Sequence, residues 1–193
     1  MAELQVQLHH LEPHAILCGG LKTFQWPDVP VVAVETHGSN VFQRSRVAGA
    51  VQRLERCKTL AGSLVSHQLS ATAFELSLSH PVIPFAVSDP MAANASQLFA
   101  DDHQMMVEPA CGAILSLIYS GVIRDVVPNL QPDSHIVVIL TGRNDITIGK
   151  LNDFQLKYAN PPTIVKSGSE IYMRLANDSE LMGDGTKDTP SPV

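Results

Sequence analysis

An α/β fold with a mainly parallel sheet flanked by helices is the fold class this sequence predicts, and three observations predict it. Val31 to Glu35 and Ser134 to Leu140 are apolar-rich runs of strand length, the pattern of strands covered on both faces. Asp89-Pro90 and Glu108-Pro109 pair an acid with a proline at a first helical turn, where the missing N–H costs nothing. Strand-like and helix-like segments alternate along the chain, as βαβ units require.

In chain order, Glu3 to Leu11 places Leu4, Val6, Leu8 and Leu11 at mixed spacing, and any helix they form ends at Pro13. Ala15 to Cys18 reads as a short buried strand entering Gly19-Gly20. Trp26-Pro27-Asp28-Val29-Pro30 is a turn before the Val31 strand. Asn40 to Leu54 can be helical through Val47, Val51 and Leu54, and Gln68 to Leu78 has a clearer stripe of Leu69, Ala73 and Leu76. Pro81 breaks that helix and Val82 to Val87 is the next strand. With Asp89 as N-cap, the following helix runs to about Asp101. The helix opening at Glu108-Pro109 presents Ala113, Ile114, Leu117 and Ile118 and is expected to be the most buried in the chain, weakened at its end by Gly121. Thr141 to Asn144 is a turn and Ile146 to Leu156 a final helix. Residues 1–160 are thus read as one domain, and 161–193, rich in Ser, Gly and Asp, as a disordered tail.

The chain has 193 residues, 45% of them hydrophobic, enough for one domain with its own core. A formal charge of -6 argues against a nucleic-acid partner, which needs clustered cations. The local run Arg44, Arg46, Arg53, Arg56 and Lys58 is read as a solvated helix face in preference to an anion site. Three cysteines without C-x-x-C spacing, and no early apolar segment of signal-peptide form, point to a reducing, cytoplasmic compartment. No apolar run is long enough for a transmembrane helix. Eight histidines are scattered, with only His9, His10 and His14 close together, and structural or surface roles are preferred to a zinc site.

Ligands of open α/β sheets collect beyond the carboxyl ends of the strands, so the residues after each apolar run carry the chemistry. Gly19-Gly20 could let backbone N–H groups approach a phosphate, although an ordinary turn is the commoner use. Glu35 ends an apolar strand, and its carboxylate either reaches solvent, the reading preferred on the residues alone, or meets a cation or donor. Thr141 either caps a turn, the commoner use, or hydrogen-bonds a ring nitrogen. Cys111, at a buried helix start, is read as a small hydrophobe. The absence of G-x-G-x-x-G after a strand disfavours a nicotinamide-dinucleotide domain.

In order, these segments resemble the L-serine/L-threonine dehydratases (ammonia-lyases), pyridoxal-phosphate enzymes of the tryptophan-synthase-β type. The resemblance runs from about Pro13 to about Leu151, through Pro13-His14-Ala15-Ile16, Asp28 to Thr36, Thr59-Leu60-Ala61 to Leu64, Val87-Ser88-Asp89, Phe99-Ala100-Asp101-Asp102, Val107 to Ala113 and Val137 to Gly142. It implies a partial fold type II PLP enzyme. Gly19 and Gly20 would belong to the cofactor's phosphate loop, and Thr141, with Gly142, would face its pyridine nitrogen. Glu35, backbone oxygens of Leu64 and Ser66, and Ser39 would hold a monovalent cation such as potassium. It also implies a small amino-acid substrate and a homodimer or other associated chain.

The sequence departs from the family in two places. None of Lys22, Lys58, Lys150, Lys157, Lys166 or Lys187 stands in the Ser-x-Lys-x-Arg-Gly type context of the Schiff-base lysine, so no catalytic lysine is assigned. Cys18-Gly19-Gly20-Leu21-Lys22 is shorter than the family's glycine run. The expectation is therefore β-elimination by the family and little turnover by this chain alone. The alternative is a non-catalytic remnant that binds a ligand or subunit, and an open sheet without its earlier strands predicts association with another chain.

Overall fold

A computed structural model describes residues 26–141, 146–158 and 160–162, together with the backbone of the strands at 5–9, 163–167 and 170–174. Four strands form one parallel sheet: β1 (Gln5–His9), β2 (Val31–Thr36), β3 (Val82–Val87) and β4 (His135–Val138), in the order β3-β2-β1-β4. The helices are α1 (Val41–Ala48), α2 (Ala71–Leu78), α3 (Asp89–His103), α4 (Pro109–Tyr119), the short α5 (Ile123–Val126) and α6 (Ile148–Lys157).

β2 is the centre of the molecule, buried at every residue. Because successive side chains point to opposite faces, Val32 and Val34 pack with Ile114 and Leu117 of α4, whereas Val31 and Ala33 pack with Val41, Phe42 and Phe74 of α1 and α2. Both faces are thus covered, which is why this strand reads as an unbroken apolar run. Burying a side chain of the size of Phe42, Ile114 or Leu117 contributes about 1.5–3 kcal/mol.

Several elements differ from the sequence expectation. Gln5–His9 is a strand and not a helix: its mixed apolar spacing is resolved by pairing on both sides, with β2 and β4. The helix expected over 40–54 stops at Ala48, where Gly49 is left-handed at φ 66°, and Val47, placed on the expected stripe, is 86% exposed. α2 starts after Ser70, whose side chain accepts from the Ala73 N–H, and buries Phe74 and Ser77. β4 is not a fully covered strand. It lies at the sheet edge, and Val137 is 41% exposed. Within the segment expected to be disordered, β5 (Thr163–Ser167) and β6 (Glu170–Arg174) pair antiparallel. The proposed strand at Ala15–Cys18 lies outside the described residues, as do Gly19 and Gly20.

α1 and α3 begin beyond the carboxyl ends of β2 and β3. α4 is buried from Pro109 through Leu117, as its apolar face predicts, while Ile118 is partly exposed. The N-cap of α3 is Ser88 and not Asp89: the Met91 N–H donates to Ser88 Oγ at 3.3 Å, and Asp89 occupies the first helical position. That shift by one residue releases the Asp89 carboxylate for another use. Ser88→Ala is expected to cost about 1 kcal/mol, read as a shift in urea midpoint at unchanged slope. An unchanged midpoint would refute the cap.

Candidate functional site

Beyond the carboxyl ends of β2 and β3, three polar groups are buried side by side in sequence or space: Glu35, Thr36 and Ser39. The turn joining β2 to α1 is tight. Ser39 N–H donates to the Thr36 carbonyl at 2.9 Å, and Lys58 N–H donates to the Gly38 carbonyl at 3.0 Å. A Cβ at Gly38 would collide with the Lys58 carbonyl, so the close approach of this second loop demands glycine.

Glu35 does not reach solvent, contrary to the reading preferred on residues alone. It is 1% exposed, with Phe42 N–H donating to Oε1 at 2.9 Å and Gln43 N–H donating to Oε2 at 2.8 Å. These are orphan donors of the first turn of α1, whose N-cap residue, Asn40, makes no side-chain cap bond. A carboxylate from the preceding strand thus replaces the usual cap and meets the positive end of the helix. Burial pushes the Glu35 carboxyl up to about 7, against the opposing pull of the Gln43 and Phe42 N–H groups.

The loop from Lys58 to Ser66 lies across this turn. It contains a single 3-10 turn, Gly62–Leu64, with Leu64 buried. Ser66 N–H donates to Ser39 Oγ at 3.4 Å. Of the four residues assigned to a cation, the structure therefore ties Ser39 to Ser66 directly, keeps Glu35 four residues from Ser39 on the same turn, and anchors Leu64 in the same loop. Carboxylate, hydroxyl and carbonyl oxygen are donor types that suit hard cations in general. Among the described residues no three His, Cys, Asp or Glu converge on a metal position.

The residues that sequence reasoning passed over are Thr59 and Asp89. Thr59 Oγ1 donates to Asp89 Oδ1 at 2.5 Å, and the Leu60 N–H donates to Asp89 Oδ2 at 2.9 Å. Thr36 Oγ1 donates to Thr59 Oγ1 at 2.9 Å, and the Ala61 N–H donates to the same oxygen at 3.1 Å. His37 lies beside this network, its imidazole held below the ordinary range by burial, with the Asp89 charge acting in the other direction. The available signal was an acid directly after a strand, and it was absorbed by the N-cap reading.

A cavity of about 420 Å³ opens between this loop and the helices, lined by Leu60, Gly62, Ser63, Glu108, Lys150 and Phe154 among others. Glu108, at the N-cap of α4, is 9% exposed and makes no side-chain cap bond. Thr141 is exposed, three residues beyond the end of β4. Gly142, assigned beside it, lies outside the described residues. Cys111 is completely buried among Ala95, Phe99, Val107 and Leu115, a small hydrophobe as read. The basic run does not form one helix face. Only Arg44 and Arg46 are on α1, bonded to Asn40 Oδ1 and the Ser77 carbonyl, while Arg53 donates to Gln68 Oε1.

Residues 15–142, more than half of the chain, match the model of the family described as pyridoxal-phosphate dependent enzyme, and the protein belongs to that family. Human L-serine dehydratase/L-threonine deaminase is 37% identical over 142 residues, which cover 70% of this chain and 43% of the human protein. The structure of a fungal L-serine ammonia-lyase from Rhizomucor miehei superposes with a TM-score of 0.76 at 46% identity, covering 81% of this chain and 50% of that one. Maize serine racemase shares the fold at a TM-score of 0.63 and 20% identity, covering 81% of this chain and 47% of that one. The architecture is thus part of the fold type II PLP-enzyme fold, and the chain spans half or less of the length of these relatives.

Proposed function

We propose that this chain is part of a PLP-dependent L-serine ammonia-lyase, a cytoplasmic enzyme of amino-acid breakdown. Its family reaction removes ammonia from L-serine, or from L-threonine, to leave pyruvate or 2-oxobutanoate, the water lost in the β-elimination being regained when the resulting imine hydrolyses. The observation that carries the reading is the 46% identity with the fungal L-serine ammonia-lyase over 81% of this chain. The 420 Å³ cavity between the 60–63 loop, the start of α4 and α6 supports it, since its volume suits a substituted pyridine.

In this reading Gly19 and Gly20 receive the cofactor phosphate through backbone N–H groups, and Thr141, with Gly142, faces the ring nitrogen through a neutral hydroxyl. When bound, PLP supplies the electron sink for the substrate's α-carbon. Glu35, Ser39 and the Leu64 and Ser66 carbonyls hold a monovalent cation, potassium being the favoured ion, and so brace the loop that forms one cavity wall. The Glu35 carboxylate also fixes α1 through Phe42 and Gln43. No lysine of this chain stands in the family's Schiff-base context, so this polypeptide alone turns over serine slowly.

A second reading is a non-catalytic module that binds a ligand or a subunit, a second copy of this chain included. It is favoured by that missing lysine context and by Val137, 41% exposed on the edge strand β4. The deciding experiment is the visible spectrum of the purified chain with PLP, followed by borohydride reduction and peptide mass analysis, with pyruvate release from L-serine measured in parallel. Expected are reversible PLP binding that inorganic phosphate competes away, no reduced label concentrated on one lysine, and little pyruvate. Turnover at the rate of a full-length relative overturns the low-activity expectation, and no PLP binding at all leaves the binding-module reading.

A further inference from the structure

Asp89 and Thr59 are hydrogen-bonded to each other and sit within a network that also takes in Thr36, Leu60 and Ala61. The Thr59 hydroxyl has one proton to give and two lone pairs to receive, and all three are used. The proton goes to Asp89 Oδ1, and the lone pairs take the Thr36 hydroxyl and the Ala61 N–H. The direction is fixed, because a carboxylate only accepts and an amide N–H only donates. The second Asp89 oxygen takes the Leu60 N–H. One carboxylate at the start of α3 therefore pins residues 59–61, while Gly38 and Ser39 pin the same loop at Lys58 and Ser66.

Between those pins lie Gly62 and Ser63, which line the cavity, and Leu64, whose side chain is in the core. The segment that carries the Leu64 and Ser66 carbonyls is thus held at both ends and at its middle, and the Ser66 carbonyl also accepts from Cys57 Sγ at 3.8 Å. We propose that Asp89, acting through Thr59, is a positioning residue that sets these carbonyls for the monovalent cation. The proposal rests on the cation reading above. Outer partners of metal ligands typically govern affinity by about 10- to 100-fold, and a hydrogen bond to a charged carboxylate is among the stronger kinds.

The test is thermal unfolding of the full chain titrated with KCl at constant ionic strength, balanced by tetramethylammonium chloride, whose cation is too bulky for a compact oxygen cage. Wild type is expected to gain stability with KCl as mass action requires. Thr59→Val and Asp89→Asn are expected to need about 10- to 100-fold more KCl for the same gain, and Thr59→Ser, which keeps the hydroxyl, to match wild type. Variants that start less stable but respond at the wild-type KCl concentration mark Asp89 and Thr59 as scaffold only and overturn the proposal. A wild type indifferent to KCl overturns the cation reading and the proposal with it. Should Asp89→Asn fail to fold, the contrast of Thr59→Val with Thr59→Ser gives the same decision.

Discussion

Without added monovalent cation, Glu35 is expected to take stability away as pH rises from about 5 to 7, the reverse of what a salt-bridged carboxylate produces, while His37, lowered by burial, acts in the opposite direction. The Glu35 carboxyl stands at about 7 in the folded chain against an ordinary 4.5. Between those values the folded state keeps a proton that the unfolded state has released, so the slope of unfolding free energy with pH is negative. The stabilising contribution is fully present below the unfolded value and is lost as pH passes through the folded one. A shift of this size corresponds to roughly 3 kcal/mol. Urea titrations at closely spaced pH values measure it, and Glu35→Gln, which cannot ionise, should give a flatter profile.

Glu35→Ala separates the two roles of the group. It strips the Phe42 and Gln43 N–H groups of their acceptor, at about 1–3 kcal/mol for each buried donor left unpaired, and it opens a cavity beneath α1. At pH 5 the loss relative to wild type should therefore be about 2–6 kcal/mol. At pH 8 the loss should be smaller, because wild type then carries an ionised carboxylate in a desolvated place. Saturating KCl should restore part of the wild-type stability at pH 8 and none of that of the alanine variant. Parallel profiles for wild type and Glu35→Gln between pH 5 and 8 would mean that Glu35 titrates outside this window, and the cap argument alone would stand.

How far the sequence could be read depended on whether a signal was local. Val31 to Glu35 and Val82 to Val87 were legible because a strand buried on both faces must be apolar throughout. α4 was legible because Pro109 and a nearly unbroken apolar stretch specify a buried helix. Gln5–His9 was not, since its strand character comes from two neighbours distant in sequence, β2 and β4, and its spacing alone suits neither period. Glu35 was picked out as a site residue, but its partners lie on the next helix, and the donor pair at Phe42 and Gln43 leaves no mark in composition. The Asp89–Thr59 pair spans 30 residues and depends on Ser88 taking the cap, a choice between adjacent residues that both make good caps. Order and spacing of the motifs named the family where single residues could not.

The largest structural effect is expected at Gly112. α4 crosses α3 so closely that a Cβ at this position would collide with the Ala92 carbonyl and with Ser96 Oγ. In an isolated helix Gly→Ala gains about 1 kcal/mol; here the sign should reverse. Gly112→Ala is expected to cost about 1–3 kcal/mol through overpacking, and Gly112→Val more, to the point of losing cooperative folding. Ser96→Ala removes only one of the two obstacles, so it should rescue Gly112→Ala partly, and a double-mutant cycle in urea reads the coupling. The spacing reaches the candidate site because α3 begins at Asp89 and α4 follows directly on Glu108. Forcing the helices apart shifts the carboxylate that pins the 59–66 loop away from the one that lines the cavity. Gly112→Ala should accordingly weaken the KCl response beyond what its lower stability explains. A stabilised Gly112→Ala protein would show that the two helices have room to spare, and the rigid link between the two carboxylates would fall with it.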